Sequence, residues 1–422
     1  MTQFFVDLKS RNLIFQVTNE KLDTLFLSDR SPVYCGFDPT GSSLHIGNLL
    51  LITGLMRFQR AGFKPIVLMG GATGMIGDPS GKSSERKLLD RYEIETNVEA
   101  IQTQLKKFLD FDKRSYSAQI VNNAEWFDRF LFIDFLREIG KHFSVGSMLA
   151  KEAVKNRLET GISFTEFSYL LMQAYDFLYL FDTFGCRIQL GGQDQWGNIT
   201  AGIELIRKLR GEEAFGITFP LITDASGNKF GKSEAGTIWL DEKLTSPYQF
   251  YQYLINTSDN DVINYQKLFT FLSMEEINDY ADMVVREPEK REAQKRLAWE
   301  VTKQVHGEEN ANMAKNASEV LFGREISEFS DKMLGEVFPD VPKAHFQFVE
   351  LSNGLGLVQT LVLCQATASK GEARRLISQG GVYINNRKVK ELGYKLTPQD
   401  LASEHFIILR TGKKNFFCLR FD

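Results

Sequence analysis

A parallel α/β sheet, extended by a helical region and a small basic α+β module, is the fold class that this 422-residue chain predicts. Two strand–loop–helix units carry the first part: PVYCGFDPT (32–40) running into SSLHIGNLLLITGLMRFQRAG, and CRIQLGGQDQWGNITAGIELIRKL (186–209). Their strands are continuously apolar, as strands covered by helices on both faces are. A charge asymmetry carries the rest. From Leu351 onward eleven Lys/Arg meet five Asp/Glu, a net +6, so the residues before it hold −10 of the total −4. Such a balance excludes a basic nucleic-acid coat over the whole molecule and is that of an acidic body carrying a basic module.

Taken in order, residues 32–40 form a short β-rich run ending in turn residues. The helix that follows begins at a serine cap and ends at Gly62. KPIVLMGGATG (64–74) is an apolar strand opening into glycines. Residues 125–182 read as largely helical, and FPLITDASGNKFGKSEAG (219–236) as a Gly-, Ser- and Lys-rich loop. The pattern from Ser246 to Phe322 is charged and amphipathic, as in a helical domain. Residues 323–352, broken by FPDVPKA, read as a connector. In the tail, GGVYINNRKV and HFIILRTGKKNFFCLRF alternate around turn residues as strands do. The resulting division is a Rossmann-like domain over 1–225 with a helical insertion at about 125–185, a loop at 226–245, a helical domain at 246–322, a linker at 323–352 and a basic α+β module at 353–422.

The four cysteines, Cys35, Cys186, Cys364 and Cys418, form no CxxC pair, so neither a zinc site nor a disulfide framework follows. Charges at Asp7, Lys9 and Arg11 interrupt any signal-peptide core, and no apolar run reaches the ~18 residues of a membrane span. A soluble cytoplasmic protein without a membrane partner is expected.

Several motifs carry chemistry. In HIGN, His45 and Asn48 share a helix face one turn from its N-terminus, where the helix dipole and open N–H groups favour phosphate. Gly47 between them lets a flat ligand approach the backbone. GDPSGKSSER (77–86) fails the P-loop spacing, because Ile76 stands where a glycine is required, yet Lys82 and Arg86 at i and i+4 suit phosphate oxygens. KFGKS (229–233) sets Lys229 and Lys232 around a glycine in a loop able to fold over phosphates. In EFSYLLMQAYDF (166–177), Tyr169, Gln173 and Asp176 lie on one face of an apolar helix. Buried there without partners, Gln173 and Asp176 would each cost about 1–3 kcal/mol, so a polar ligand is the economical explanation.

HIGN beside the first strand and KFGKS beyond the second unit resemble the signature pair of class I aminoacyl-tRNA synthetases. YCGFDPTGSSLHIGN, GGATGMIGDPSGKSSER, GISFTEFSYLLMQAYDF, LGGQDQWGNITAGIELIRKL and KFGKSEAGTIWLD resemble, in order and spacing, the bacterial tyrosyl-tRNA synthetase family. ASKGEARRLISQGGVYINNRKV is similar to the S4 RNA-binding domain that this family carries at its C-terminus.

The resemblance implies tyrosine–tRNA ligation, with L-tyrosine, ATP and tRNA(Tyr) as substrates, Mg²⁺ carried by the phosphates, and a homodimer with its interface near 125–182. It implies that Tyr34 and Asp176 bind the phenolic hydroxyl, Asp78, Tyr169 and Gln173 the ammonium group, and that Gln195 lies near the carboxylate. Cys35, Gly36, Asp38, Gly192 and Asp194 would meet the ribose and nucleoside, and Gly47 the adenine. His45, Asn48, Lys82, Arg86, Lys229 and Lys232 would face the phosphates, Asn123 would stand behind the tyrosine contacts, and Arg374, Arg375, Arg387, Lys388 and Lys390 would contact RNA. One departure is Asn48, where the family tetrad usually ends in histidine. Two rivals remain: a tryptophanyl-type synthetase, and an S4-bearing RNA-binding protein with a decayed synthetase domain.

Overall fold

Strands that read as unbroken apolar runs are buried along almost their whole length. They are β2 (Val33–Phe37), β3 (Pro65–Met69) and β5 (Ile188–Gly192), and β6 (Phe215–Phe219), which has no such run, is equally buried. With β1 (Gln16–Val17) and β4 (Gln119–Asn122) they make a six-stranded sheet in the order β1-β6-β5-β2-β3-β4. Every pair is parallel except β1 with β6, so the expected parallel sheet gains one antiparallel edge strand that sequence reading missed. β1 spans two residues, too short for any periodicity to show.

The computed structural model describes residues 2–20, 22, 30–81, 88–112, 115–155, 157–158, 161–223, 230–233, 236–320, 324–327, 329–339, 341–412 and 415–422, with the backbone alone at 153, 232 and 233. The chain divides into two units, one of residues 1–245 and 257–297 and the other of residues 246–256 and 298–422.

In the first unit, helix α1 (Ile46–Arg60) crosses from β2 to β3, and α3 (Trp196–Arg210) crosses from β5 to β6. Between them, α2 (Phe164–Phe184) starts on Ser163, whose hydroxyl accepts from Glu166 N–H, and ends at left-handed Gly185. α2 and α3 pack along one another so closely that a Cβ at Gly202 would sit 3.0 Å from the Phe177 side chain. Chain order reverses between β5 and β2, and open α/β sheets bind ligands in the crevice at such a point, outside the carboxyl ends of the strands.

The second unit holds a sheet of β9 (Lys343–Phe346), β11 (Val382–Ile384), β12 (Arg387–Val389), β14 (Phe406–Thr411) and β15 (Asn415–Phe421), in the order β12-β11-β14-β15-β9. A separate pair joins β10 (Leu355–Gly356) to β13 (Lys395–Leu396). The hairpin turn between β11 and β12 is Asn385–Asn386, both at positive φ, as a tight two-residue turn requires.

The region expected as a connector, 323–352, is ordered structure over much of its described length. Asp331–Val337 is a helix, and β9 pairs in parallel with β15, which puts Phe346 into the apolar core. The prolines of FPDVPKA end the helix without preventing the strand, and its pairing partner lies about 75 residues away, beyond any local signal. The helical stretch 246–322 is likewise divided between the units. Pro247–Ile255 belongs to the second, where Tyr248 packs with Ala317 and Phe338.

Candidate active site

The polar start of α1 has two functions. His45 occupies the N-cap position, not a serine as expected. Its N–H donates to Asn48 Oδ1 at 3.0 Å, so the asparagine side chain reaches back to close the helix end. The imidazole of His45 lies over Gly47, where a Cβ would come within 2.9 Å of the ring, and it lines a cavity. A backbone ladder ties this helix start to the loop segment. Ile46 N–H donates to Ile238 O at 2.9 Å, Leu240 N–H to Leu44 O at 2.8 Å, and Ile238 N–H to Gly231 O at 3.0 Å. Gly231, at φ +88°, makes the turn into β7 (Lys232–Ser233), which pairs with β8 (Gly236–Thr237). Thus two signature segments far apart in sequence meet through main-chain hydrogen bonds.

The cavity measures about 570 Å³ and sits at the carboxyl ends of β2, β3 and β5. Its deep end holds Tyr34 and Asp176. Tyr34 is fully buried against Phe177, and its hydroxyl has no hydrogen-bond partner among the described residues. Burial, then the charge of Asp176, pushes the Tyr34 hydroxyl well above its ordinary pKa. Asp176 is 1% exposed and accepts from Asn123 Nδ2 at 3.1 Å and from Trp126 Nε1 at 2.9 Å. Burial drives its carboxyl up to about 8 although both donors favour the ionised form. Trp126 is held in turn by stacking on Tyr179.

A second polar group lies further along the cavity. Gln195 Nε2 donates to Asp78 Oδ2 at 2.7 Å, and Ser80 N–H donates to Asp78 Oδ1 at 2.8 Å. Gln173 Nε2 donates to Gln195 Oε1 at 3.1 Å, while Asn198 Nδ2 donates to Gln173 Oε1 at 2.8 Å. The Tyr169 hydroxyl donates to Asp38 Oδ2 at 2.8 Å, which leaves its oxygen lone pairs for a cation. The remaining lining includes Cys35, whose buried thiol is raised in pKa by desolvation, and Gly36, where a Cβ would meet nothing within 4 Å. Gly192 and Asp194 close the β5 side.

One cavity therefore gathers Tyr34, Cys35, Gly36, Asp38, His45, Gly47, Asn48, Asp78, Tyr169, Gln173, Asp176, Gly192, Asp194 and Gln195. Lys82, Arg86 and Lys229 lie outside the described residues, and Lys232 is described by its backbone alone. Their chain neighbours Gly81, Phe230 and Gly231 line the same cavity. Sequence reading missed Thr40, Thr73 and Gln189 in the lining, together with Trp126 and Asn198 behind it. Thr73 was within view in GGATG, directly after a strand, but a lone threonine there carries no pattern.

In the second unit, Arg374 and Arg375 are exposed on the Lys370–Ser378 helix, and Lys388 and Lys390 flank Gly380 just beyond it. Arg387, also exposed, is engaged in ion pairs as well. Its guanidinium is paired with Glu325 at 3.3 Å and Asp400 at 3.4 Å. Both partners come from other parts of the fold.

Comparison with known proteins gives this geometry a lineage. The family described as tRNA synthetases class I (W and Y) matches residues 28–323, and the tyrosine–tRNA ligase SYY-like C-terminal domain matches residues 334–419. A tyrosine–tRNA ligase of Roseiflexus castenholzii is 49% identical over the full length of both chains. That of Bacillus caldotenax is 51% identical over 98% of this chain and 99% of its own. The solved structure of a C-terminally truncated mitochondrial tyrosyl-tRNA synthetase from Aspergillus nidulans superposes with a TM-score of 0.69 at 31% identity, covering 76% of this chain and 95% of that one. Fold and cavity thus define a class I aminoacyl-tRNA synthetase of the tryptophan and tyrosine group. Within that group, the chain belongs to the bacterial tyrosyl-tRNA synthetase family.

Proposed function

We propose that this cavity activates L-tyrosine with ATP, giving tyrosyl-adenylate and pyrophosphate, before tyrosine passes to the 3′ end of tRNA(Tyr). The observation that carries the reading is the buried Tyr34 hydroxyl, left without a protein partner beside the buried carboxyl of Asp176. A bound phenol supplies what both lack: its oxygen accepts from Tyr34 and its hydrogen goes to Asp176. An indole has no hydroxyl for that position.

The roles of the other residues follow from their surroundings. Asp78, Gln173 and the lone pairs of Tyr169 receive the ammonium group, and Gln195 stands by the carboxylate. That carboxylate is itself the nucleophile, already ionised at neutral pH, so no side-chain base is needed for adenylate formation. Catalysis comes from positioning and from donors aimed at the charge developing on the phosphates. His45 and Asn48 at the α1 start, with Lys82, Arg86, Lys229 and Lys232, are the groups proposed to supply them. Cys35, Gly36, Asp38, Gly47, Gly192 and Asp194 hold the nucleoside.

Mg²⁺ finds no protein cage among the described cavity carboxylates. Among the described residues, no cluster of three metal-ligating side chains lines this cavity. The ion is therefore assigned to the phosphates of ATP, and none of the steps above is routed through it. The basic second unit, through Arg374, Arg375, Lys388 and Lys390, is proposed to hold the tRNA backbone, with Arg387 supporting the hairpin through its ion pairs. Among the described residues no helix is long and apolar enough to cross a membrane. On this reading the chain works in the cytoplasm, where its substrates are.

Exposed apolar side chains at Leu131, Phe132, Ile133, Val145 and Phe164, each more than 60% exposed, support pairing of two copies through this face. Sedimentation at micromolar concentration should give twice the chain mass, and Ile133→Asp should shift the protein to single chains. A wild-type protein that stays single under those conditions ends the dimer proposal.

ATP–pyrophosphate exchange with each of the twenty amino acids tests the main reading. Tyrosine alone should support exchange. Stimulation by tryptophan alone points to the tryptophanyl rival, and no exchange with intact tRNA retention points to a decayed enzyme. Tyr34→Phe should reduce the preference for tyrosine over phenylalanine about 3- to 15-fold, the loss of one hydrogen bond, without lowering the melting temperature. An unchanged preference would remove Tyr34 from the slot.

A further inference from the structure

We infer that Thr73 is a positioning residue whose hydroxyl ties the carboxyl at the phenol end of the proposed tyrosine slot, Asp176, to Asp38, the carboxyl that holds the ammonium-binding Tyr169 and lines the nucleoside end. Thr73 opens the Thr73–Met75 turn after β3 and is 2% exposed. Asn123 fixes the sense of its hydrogen bonds. The Asn123 Oδ1 accepts from Ala72 N–H at 2.7 Å, which leaves both Nδ2 hydrogens to donate. One goes to Asp176 Oδ2 at 3.1 Å and the other to Thr73 Oγ1 at 2.9 Å. Having accepted there, Thr73 points its own hydrogen at Asp38 Oδ1, 2.8 Å away. The other oxygen of Asp38 takes the Tyr169 hydroxyl.

The result is a chain of donors with one possible direction, ending on a carboxyl at each end. Gly70 completes it: a Cβ there would overlap Asp38 Oδ1 and come within 2.5 Å of Thr73 Oγ1, so the backbone closes the cage. Removing the hydroxyl takes an acceptor from Asn123 Nδ2 and a donor from Asp38 Oδ1 together. A buried network that loses a partner at two members loses orientation at both. One hydroxyl thereby couples recognition of the phenol to the placement of the ammonium and nucleoside.

Thr73→Val, which keeps the shape and deletes the hydroxyl, tests this beside Thr73→Ser, which keeps the hydroxyl. Relative to wild type, the valine variant should lose about 10- to 100-fold in kcat/KM for tyrosine, the effect of losing a hydrogen bond to a charged group. Its KM values for tyrosine and ATP should rise together, and its preference for tyrosine over phenylalanine should fall. Serine should restore all three to within about 3-fold. A purely structural role would lower the melting temperature and the count of active sites yet leave KM and preference per active site unchanged, and that result overturns the proposal. If valine does not fold, Thr73→Ala is measured in its place with the same outcomes. Wild-type exchange with tyrosine separates the two levels. Its failure sinks the tyrosine slot itself, whereas an active wild type with an indifferent Thr73 variant sinks the coupling alone.

Discussion

Asp176→Ala should lower kcat/KM for tyrosine by about 10²- to 10³-fold while changing the slight activity with phenylalanine far less. The substrate hydroxyl loses its hydrogen bond to the buried carboxyl and is itself left unpaired in a dry slot, about 3–4 kcal/mol in all. The same substitution strands the Trp126 and Asn123 donors, so the melting temperature should fall as well. Steady-state exchange kinetics with both amino acids, normalised to active sites, read the first effect, and calorimetry reads the second. Equal losses with tyrosine and phenylalanine would mean that Asp176 supports the fold and does not read the hydroxyl.

His45→Ala should lower kcat for exchange by about 10²- to 10³-fold, the usual effect of losing one well-placed donor to a transition state. The KM for tyrosine should change little, because the imidazole lies at the α1 start and not in the phenol slot. Stability should fall by no more than about 1 kcal/mol, because the half of the capping box that runs from the His45 backbone to the Asn48 side chain survives the substitution. Asn48→Ala is the complement: it removes that cap and should cost about 1 kcal/mol of stability. If His45→Ala left kcat intact, the imidazole would have no part in the phosphate chemistry.

What the sequence made legible was local. The continuous apolar runs become β2, β3 and β5, and the spacing of Tyr169, Gln173 and Asp176 puts all three on the cavity face of α2. What it hid was tertiary. Nothing near Arg387 announces Glu325 and Asp400, and nothing in 343–346 announces a pairing partner at the far C-terminus. The HIGN segment showed two polar residues at a helix start without showing how they divide the work. Only the folded geometry shows that Asn48 closes the helix end by accepting from the His45 N–H while both side chains line the cavity. Thr73 was invisible for a related reason, since its value lies in two partners brought to it from residues 38 and 123, the second of which also holds Asp176.

The central claim is that the Tyr34 hydroxyl and the Asp176 carboxyl wait for a phenol. A crystal structure of the full chain with bound L-tyrosine tests it most directly. The phenolic oxygen should lie within hydrogen-bond distance of both groups, and the ammonium should lie among Asp78, Tyr169 and Gln173. Tyrosine bound outside this cavity, or inside it with the ring reversed and the hydroxyl away from Asp176, would contradict it.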